Sequence, residues 1–239
     1  MADVEVTECV QERLVVLEIA SKPSGNLTAN CTSLTPIGGS AKRLVDIVLA
    51  TFGIVILLPL LSLCLLGTFL SSPGSVIFRH RRVGFQGRHF ECLKFGTTAP
   101  CGDKLLHGHL SANPQAKEKW GETRKLRHDP RMALFGTIMH KTSLDELPQL
   151  FNVLKGDMSI VGPRPMTDDE IERHAHRVSA YLACRPGITG PWQISSPSGT
   201  RYSTRVTFDD AYARNWSLLM DAKIMLGTLP AVLDPDDAY

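Results

Sequence analysis

The sequence has almost no excess of charge of either sign. Its 239 residues include 26 lysines and arginines against 24 aspartates and glutamates, which leaves a net charge of +2. So small an excess argues against a nucleic-acid-binding protein, because such proteins need a strong positive field. The basic residues do cluster locally, at 79–88 and 117–131, which suits an anionic membrane surface. The mixed-sign stretch 117–125 fits an ordinary solvated face better.

Paired cysteines are also absent. The six cysteines are scattered, and none forms a C-x-x-C pair or another spacing typical of metal ligands. The eight histidines form no zinc motif either. In a cytoplasmic domain these cysteines are expected to be free thiols, because that compartment is reducing.

Charge is missing altogether from Ile47 to Phe78. A membrane-spanning helix needs roughly 20 apolar residues, and this run is long enough. It begins too far inside the chain to be a signal peptide. Pro59 lies in its middle, and proline lacks a backbone N–H, so the sequence predicts a break in the helix at Pro59.

Both flanks of this run are positive. Lys42 and Arg43 precede it, and three arginines follow it between positions 79 and 82. Positive residues mark the cytoplasmic side of a membrane segment. A helix that breaks at Pro59 and returns would place both flanks in the cytoplasm. A single span with a proline kink is the alternative, and the flanks alone do not decide between the two.

An adjacent acid pair, Asp145 and Glu146, lies in the otherwise apolar segment Lys141–Pro165. Two neighbouring carboxylates predict a divalent cation bound together with phosphate groups. The Gly-Pro-Arg-Pro turn that ends the segment would hold Arg164 in place, and arginine is the natural clamp for a phosphate.

The acid pair also fits the first turn of a helix. Ser143 would then be the N-cap, and Glu146 would complete a capping box. The two interpretations are compatible, because a helix N-terminus also favours bound anions.

The rest of the chain predicts mixed secondary structure. Strands at 76–78 and 89–95 form a hairpin around a glycine turn, residues 99–109 form a loop, and residues 211–229 form a final helix that buries Trp216 and Leu219. Helices and strands do not alternate regularly, so a doubly wound fold is not expected. The predicted fold is α+β. A flexible tail at 1–40 precedes a membrane hairpin at 41–78 and a small mixed α/β cytoplasmic domain at 79–239.

Seven motifs occur in order along the chain. They are KRLVDIVLA, SPGSVIFRHRRVG, LKFGTT, HDPRMALFG, KTSLDELPQLFNVLKGDMSIVGPRP, RPGITGPWQIS and NWSLLMDAKI. Together they resemble the bacterial sugar transferases that start exopolysaccharide synthesis, the monotopic polyprenyl-phosphate hexose-1-phosphate transferases. The resemblance covers Lys42 to Leu233.

The resemblance implies an enzyme of the bacterial inner membrane with its catalytic domain on the cytoplasmic face. It would transfer hexose-1-phosphate, with galactose or glucose as the sugar, from a UDP-hexose to undecaprenyl phosphate. It also implies a re-entrant helix-break-helix anchor in the membrane lipid. Asp145 would attack the sugar-bearing phosphate, and Mg²⁺ would bind at Asp145 and Glu146.

The same motifs imply a set of phosphate- or substrate-binding residues: Lys94, Arg131, His140, Arg164, Arg185 and Gln193. The residues leave the oligomeric state open, a homo-oligomer included. Several positions depart from the family pattern, among them Gly96 and His140, which stand where an arginine is usual. A catalytically impaired homologue that regulates or assembles the polysaccharide machinery is therefore the alternative. A bitopic structural protein is a third class.

Overall fold

The structure of the chain is a computed structural model. It describes residues 35–71, 75–97, 102–113, 115, 134–173, 178–195 and 202–233. Most of the predicted tail, residues 1–40, lies outside these ranges, and so does Arg131. The few tail residues that are described join the domain, since the Ile37 backbone donates to the Ala183 carbonyl at 3.0 Å.

The uncharged run forms one long helix, α1, over Gly39–Ser71. Pro59 lies inside α1, and the helix continues on both sides of it, so the predicted break into two helices is not confirmed. Proline removes only one backbone donor, and a full break would leave further backbone groups unpaired in apolar surroundings. Among the described residues, α1 alone is long and apolar enough to cross a membrane.

The predicted hairpin follows α1. Strand β1 spans Ile77–Val83 and strand β2 spans His89–Phe95, and they pair antiparallel from Ile77 opposite Phe95 to Val83 opposite His89. The hairpin is confirmed, although β1 is longer than the sequence predicts. The predicted loop at 99–109 is wrong, since the chain there forms helix α2, Gly102–Ala112.

The remaining helices and strands include a second small sheet. They are α3 (Leu134–Lys141), α4 (Gln149–Lys155), β3 (Ser159–Val161), α5 (Asp168–Arg173), α6 (Ser179–Leu182), β4 (Gly187–Thr189), α7 (Pro191–Ser195), α8 (Tyr202–Asn215) and α9 (Leu218–Leu233). Strands β3 and β4 pair in parallel. The described chain is thus rich in helix with small sheets, and it is compatible with a membrane anchor followed by a small α/β domain.

One face of α1 packs against this domain from end to end. Ala50 in its first half joins a buried cluster with Phe90 of β2. Leu61 and Cys64 in its second half join another cluster with Met139 of α3. The domain therefore lies alongside α1 instead of beyond one end of it.

The opposite face of α1 is apolar and exposed. Its large exposed side chains are Leu44, Ile47, Val48, Phe52, Val55, Ile56, Leu58, Leu63, Leu65, Leu66, Phe69 and Leu70. So large an apolar surface on one protein is typical of a membrane contact or another interface. Its composition and length suit a membrane anchor.

Candidate active site

A tight turn of the backbone places the acid pair. Helix α3 ends at Lys141, Ser143 adopts a left-handed conformation with φ 54°, and residues Leu144–Glu146 form one 3-10 turn. The predicted capping box is wrong, because Ser143 makes no side-chain capping bond and its positive φ is not the extended conformation that an N-cap requires. Backbone bonds hold the turn instead, with the Glu146 N–H donating to the Ser143 carbonyl at 3.2 Å.

Two leucines fix the acid pair against the membrane helix. Leu144 and Leu147 flank the acids and pack into the cluster that contains Leu61 and Cys64 of α1. The segment that carries the acids therefore shares a hydrophobic cluster with the second half of α1, whose other face is exposed and apolar.

Asp145 is buried and only partly satisfied. Its side chain is 5% exposed, and its Oδ2 lies 3.4 Å from Nδ1 of His140. Its Oδ1 is buried and has no hydrogen-bond partner. Leaving a buried carboxylate oxygen without a partner costs free energy. A bond from this oxygen to phosphorus or to a metal ion would remove that cost.

Glu146 faces a lysine from the hairpin. Nζ of Lys94 on β2 lies 2.6 Å from Glu146 Oε1, and both side chains are partly exposed. Burial raises the pKa of Glu146, but the charges of Lys94, Arg164 and His140 outweigh it, so the pKa lies below its usual value. Glu146 is therefore an ionised carboxylate at neutral pH.

Arg164 stands on a turn that is anchored at both ends. Upstream, the Pro163 carbonyl accepts from the Gly187 N–H at 2.8 Å. Downstream, the Met166 carbonyl accepts from the Val83 N–H at 3.0 Å. Pro163 and Met166 are buried while Arg164 is exposed, so the turn presents this cation outward. Its influence on the pKa of Glu146 places it in the same site.

Sequence reasoning missed Arg82, which reaches this turn from β1. Its Nη1 donates to the Pro165 carbonyl at 3.2 Å and lies 3.5 Å from Glu170 Oε2. Burial lowers the pKa of Arg82, Glu170 raises it, and Arg164 lowers it further. Strand alternation was the available signal, since it separates Arg82 from the exposed Arg81 on the other face of β1.

The structure gives the other predicted binding residues different partners. Arg185 donates from Nε to the Gly156 carbonyl at 3.0 Å, at the C-terminal end of α4. Gln193 donates to the Ile188 carbonyl at 3.2 Å, and its Oε1 is buried without a hydrogen-bond partner. Of the predicted residues, Lys94, His140 and Arg164 gather around the acid pair.

Gly96 has a structural reason to be glycine. A Cβ at this position would lie 2.3 Å from the Ser75 carbonyl oxygen, and contacts this short to backbone atoms do not occur without movement of the chain. An arginine therefore does not fit here in this backbone. The absence of a cation at Gly96 is consequently weak support for an impaired enzyme.

The acid pair fits magnesium better than a metal that needs a protein cage. Among the described residues, no group of three or more His, Cys, Asp or Glu side chains lies close enough to hold a metal ion. Asp145 and Glu146 offer two carboxylates, one of them with the buried unpartnered Oδ1. Mg²⁺ is commonly bound by one or two carboxylates together with substrate phosphates and waters.

A long apolar helix beside an acid pair with basic residues close by is compatible with a membrane-associated transferase of anionic substrates. Residues 37–235 match the profile of the family described as bacterial sugar transferase, and the chain belongs to this family.

Several curated relatives are similar over most of this chain. The exopolysaccharide production protein ExoY of Sinorhizobium fredii is 46% identical over 200 residues, which cover 84% of this chain and 88% of the relative. The undecaprenyl-phosphate galactose phosphotransferase of Salmonella typhimurium is 44% identical over 198 residues, 83% of this chain but 41% of the relative. The UDP-glucose:undecaprenyl-phosphate glucose-1-phosphate transferase of Caulobacter vibrioides is 36% identical, covering 83% of this chain and 72% of the relative.

Proposed function

We propose that this protein transfers hexose-1-phosphate from a UDP-hexose to undecaprenyl phosphate, as the first step in building an exopolysaccharide repeat unit. The observation that carries the proposal is the buried Asp145, whose Oδ1 has no partner, in a site with His140 and the cations Lys94 and Arg164. The names of the relatives, which specify lipid-carrier and UDP-sugar substrates, support it.

Asp145 is the nucleophile in this proposal. Its carboxylate oxygen attacks the phosphorus that bears the sugar, a new oxygen–phosphorus bond forms, and the bond to UMP breaks so that UMP leaves with the bridging oxygen. A phosphate oxygen of undecaprenyl phosphate then attacks the same phosphorus and releases the Asp145 carboxylate. A covalent carrier suits two bulky anionic substrates, because they need not occupy the site together.

The surrounding cations reduce the repulsion between an anionic nucleophile and an anionic phosphate. Lys94 and Arg164 are held by the hairpin and by the anchored turn, so they need no reorganisation as charge develops. Asp145 and Glu146 would hold Mg²⁺. The bound ion would neutralise diphosphate charge and polarise the phosphoryl oxygens.

The membrane arrangement that we propose is monotopic, with both flanks of α1 on the cytoplasmic face of the inner membrane. A straight helix of 33 residues is about 50 Å long at 1.5 Å per residue, which exceeds a hydrocarbon core of about 30 Å. Contacts between one domain and both halves of α1 favour a helix that stays on one side. Pro59 is where such a helix can bend.

This placement brings the acid pair to the lipid headgroups. Leu144 and Leu147 pack into the cluster that contains Leu61 and Cys64 of the covered face of α1, and the other face would contact lipid. The phosphate of an undecaprenyl carrier lies at the same interface. The relatives' names include both galactose and glucose, so both UDP-hexoses are candidate donors.

The test is UMP release from UDP-galactose and UDP-glucose with undecaprenyl phosphate, using the full chain in membranes. We expect turnover with one or both sugars in the presence of Mg²⁺, and transfer of label from a UDP-hexose labelled in its sugar-bearing phosphate onto the protein. Asp145→Asn should abolish both signals, because the amide is a poor nucleophile of nearly the same shape. Normal turnover in Asp145→Asn would exclude Asp145 as the nucleophile.

The alternative is an impaired homologue with a regulatory or assembly role. It is favoured by His140, since a histidine is not permanently charged, while Gly96 gives it little support. Folded wild-type protein that releases no UMP with any UDP-sugar would favour this alternative. Recovery of turnover in His140→Arg would identify the histidine as the cause.

A further inference from the structure

Two charged residues in the first two turns of α1, Lys42 and Asp46, are buried against the domain. Asp46 is 2% exposed, and its Oδ1 accepts hydrogen bonds from the Ser159 hydroxyl and from the Ile160 N–H, both at 2.9 Å. Both donors belong to strand β3. A residue near the start of the membrane helix therefore holds a strand that follows it by more than 100 positions in the chain.

The far end of β3 is held by a tyrosine. The Tyr212 hydroxyl lies 3.2 Å from the Val161 carbonyl and 2.7 Å from Asp221 Oδ1. Lys42, one turn before Asp46 on α1, reaches Asp221 Oδ2 at 2.6 Å, and Trp216 Nε1 donates to the same oxygen at 3.0 Å. All of these groups except Trp216 are buried, so solvent does not weaken the network.

Strand β3 leads straight into the turn that presents Arg164. The strand has only three residues and pairs with one other short strand. So small a pair is not stable alone, and its position depends on outside supports. Gly162, which begins the turn, packs closely against the chain that leads into β4, since a Cβ there would lie 2.4 Å from the Arg185 carbonyl oxygen.

We infer that Asp46 is a positioning residue for the transfer reaction: from the membrane helix it fixes β3, and through β3 it fixes the turn that directs Arg164 toward the acid pair. Tyr212 supports the same strand from the other end. The inference rests on the proposed function, in which Arg164 binds substrate phosphate.

A double-mutant cycle tests this coupling through Arg164. Asp46→Ala should lower kcat/KM for UMP release by at least about tenfold, because small displacements of a positioned group are costly. In an Arg164→Ala background, the same substitution should have an effect below about twofold, since Asp46 then has nothing left to position. An equal loss in both backgrounds would mean general destabilisation and would overturn the inference.

Two further variants distinguish a positioning role of Asp46 from simple unfolding of the protein. Asp46→Asn keeps an acceptor oxygen for the Ser159 hydroxyl and the Ile160 N–H and should retain most of the activity. Tyr212→Phe keeps the ring in its place and should show a smaller loss that also disappears in the Arg164→Ala background. If Asp46→Asn is as inactive as Asp46→Ala while folded, hydrogen bonding to β3 is not the role of Asp46.

Hydrogen–deuterium exchange separates this inference from the proposed function. Asp46→Ala should speed exchange at the amides of Ile160 and Gly162, whether or not the protein turns over any sugar. Thr68→Ala is the matched control, because Thr68 is also buried on α1 but lies in its last turn, far along the helix from Asp46. Unchanged exchange in Asp46→Ala would overturn the inference. A wild type without turnover would instead refute the proposed function.

Discussion

At the scale of single residues, Lys94 has the most direct contact with the acid pair. Its ammonium lies 2.6 Å from Glu146, and no other residue supplies a positive charge from β2 at that point of the site. Lys94→Met should lower kcat for UMP release by about 100-fold, the usual cost of losing one charge-directed donor. Lys94→Arg should recover part of it. Steady-state kinetics at saturating Mg²⁺ measure both, and equal kcat in Lys94→Met and wild type would exclude a role in phosphate binding.

At the same scale, the reactivity of Cys92 tests the prediction that the cysteines are free thiols. Cys64, Cys92 and Cys184 are free and buried, as expected for reduced cysteines. Burial raises the pKa of Cys92 to about 11, so the native state keeps the thiol protonated. The free energy of unfolding should therefore fall as pH rises from the usual thiol range toward 11, because only the unfolded chain ionises there.

The check on Cys92 is alkylation followed by peptide mass spectrometry. At pH 8 the native protein should leave Cys92 unmodified for as long as it stays folded, because the thiolate is the reactive form. The same reagent in denaturant should modify it within minutes. Rapid modification of the native protein would show that the thiol is neither buried nor protonated.

At the scale of elements, substitutions of two glycines by alanine test how tightly the chain packs just after the end of β2. Gly96→Ala forces a Cβ against the Ser75 carbonyl and should cost about 1–3 kcal/mol, as other overpacked positions do. Gly108 lies in α2 with open space around it, so Gly108→Ala should stabilise the protein by about 0.5–1 kcal/mol. Thermal unfolding measures the stability of each variant relative to the wild type. Equal stability would show that β2 can move away from Ser75.

The elements also show what the sequence could predict. The hairpin was predictable, because alternating apolar and polar residues on both sides of a glycine turn favour two paired antiparallel strands. The final helix was predicted as one piece, but it is divided into α8 and α9. Ser217 causes the division by accepting the Met220 N–H at 3.1 Å as an N-cap, a local signal that apolar periodicity conceals. Leu219, predicted to be buried, is 68% exposed because it begins the new helix on its outer side.

The residues of the site also differ in how far the sequence could predict them. Asp145, Glu146 and Arg164 stand out in one short segment, so the sequence alone could propose them. Strand alternation could separate Arg82 from Arg81, but the contact of Arg82 with Pro165 lies far along the chain, and only the structure shows it. The support that Asp46 gives to β3 is equally long-range, and an isolated acid at the edge of an apolar run carries no such information.

At the scale of the whole molecule, α1 and the domain form one body with a continuous apolar side. Leu44 and Leu70, near the two ends of α1, are both exposed on that side, while Ala50 and Cys64 are covered by the domain. Burying one face of a helix in protein and the other in lipid satisfies the backbone and both sets of side chains. A helix that carried its second half across the bilayer would have to give up the contacts of Leu61 and Cys64 with the domain.

Accessibility of engineered cysteines decides the orientation. We expect single cysteines at Ser40, in the first turn of α1, and at Gln86, in the hairpin turn that follows α1, to react with an impermeant maleimide only after intact cells are permeabilised; both positions are exposed. The native cysteines are replaced first, and UMP release confirms that each protein is still folded. Because both sites adjoin the same domain, they must share one side of the membrane. Labelling of exactly one of the two in intact cells would establish a true span and contradict the monotopic arrangement, whereas labelling of both would place the domain outside the cell.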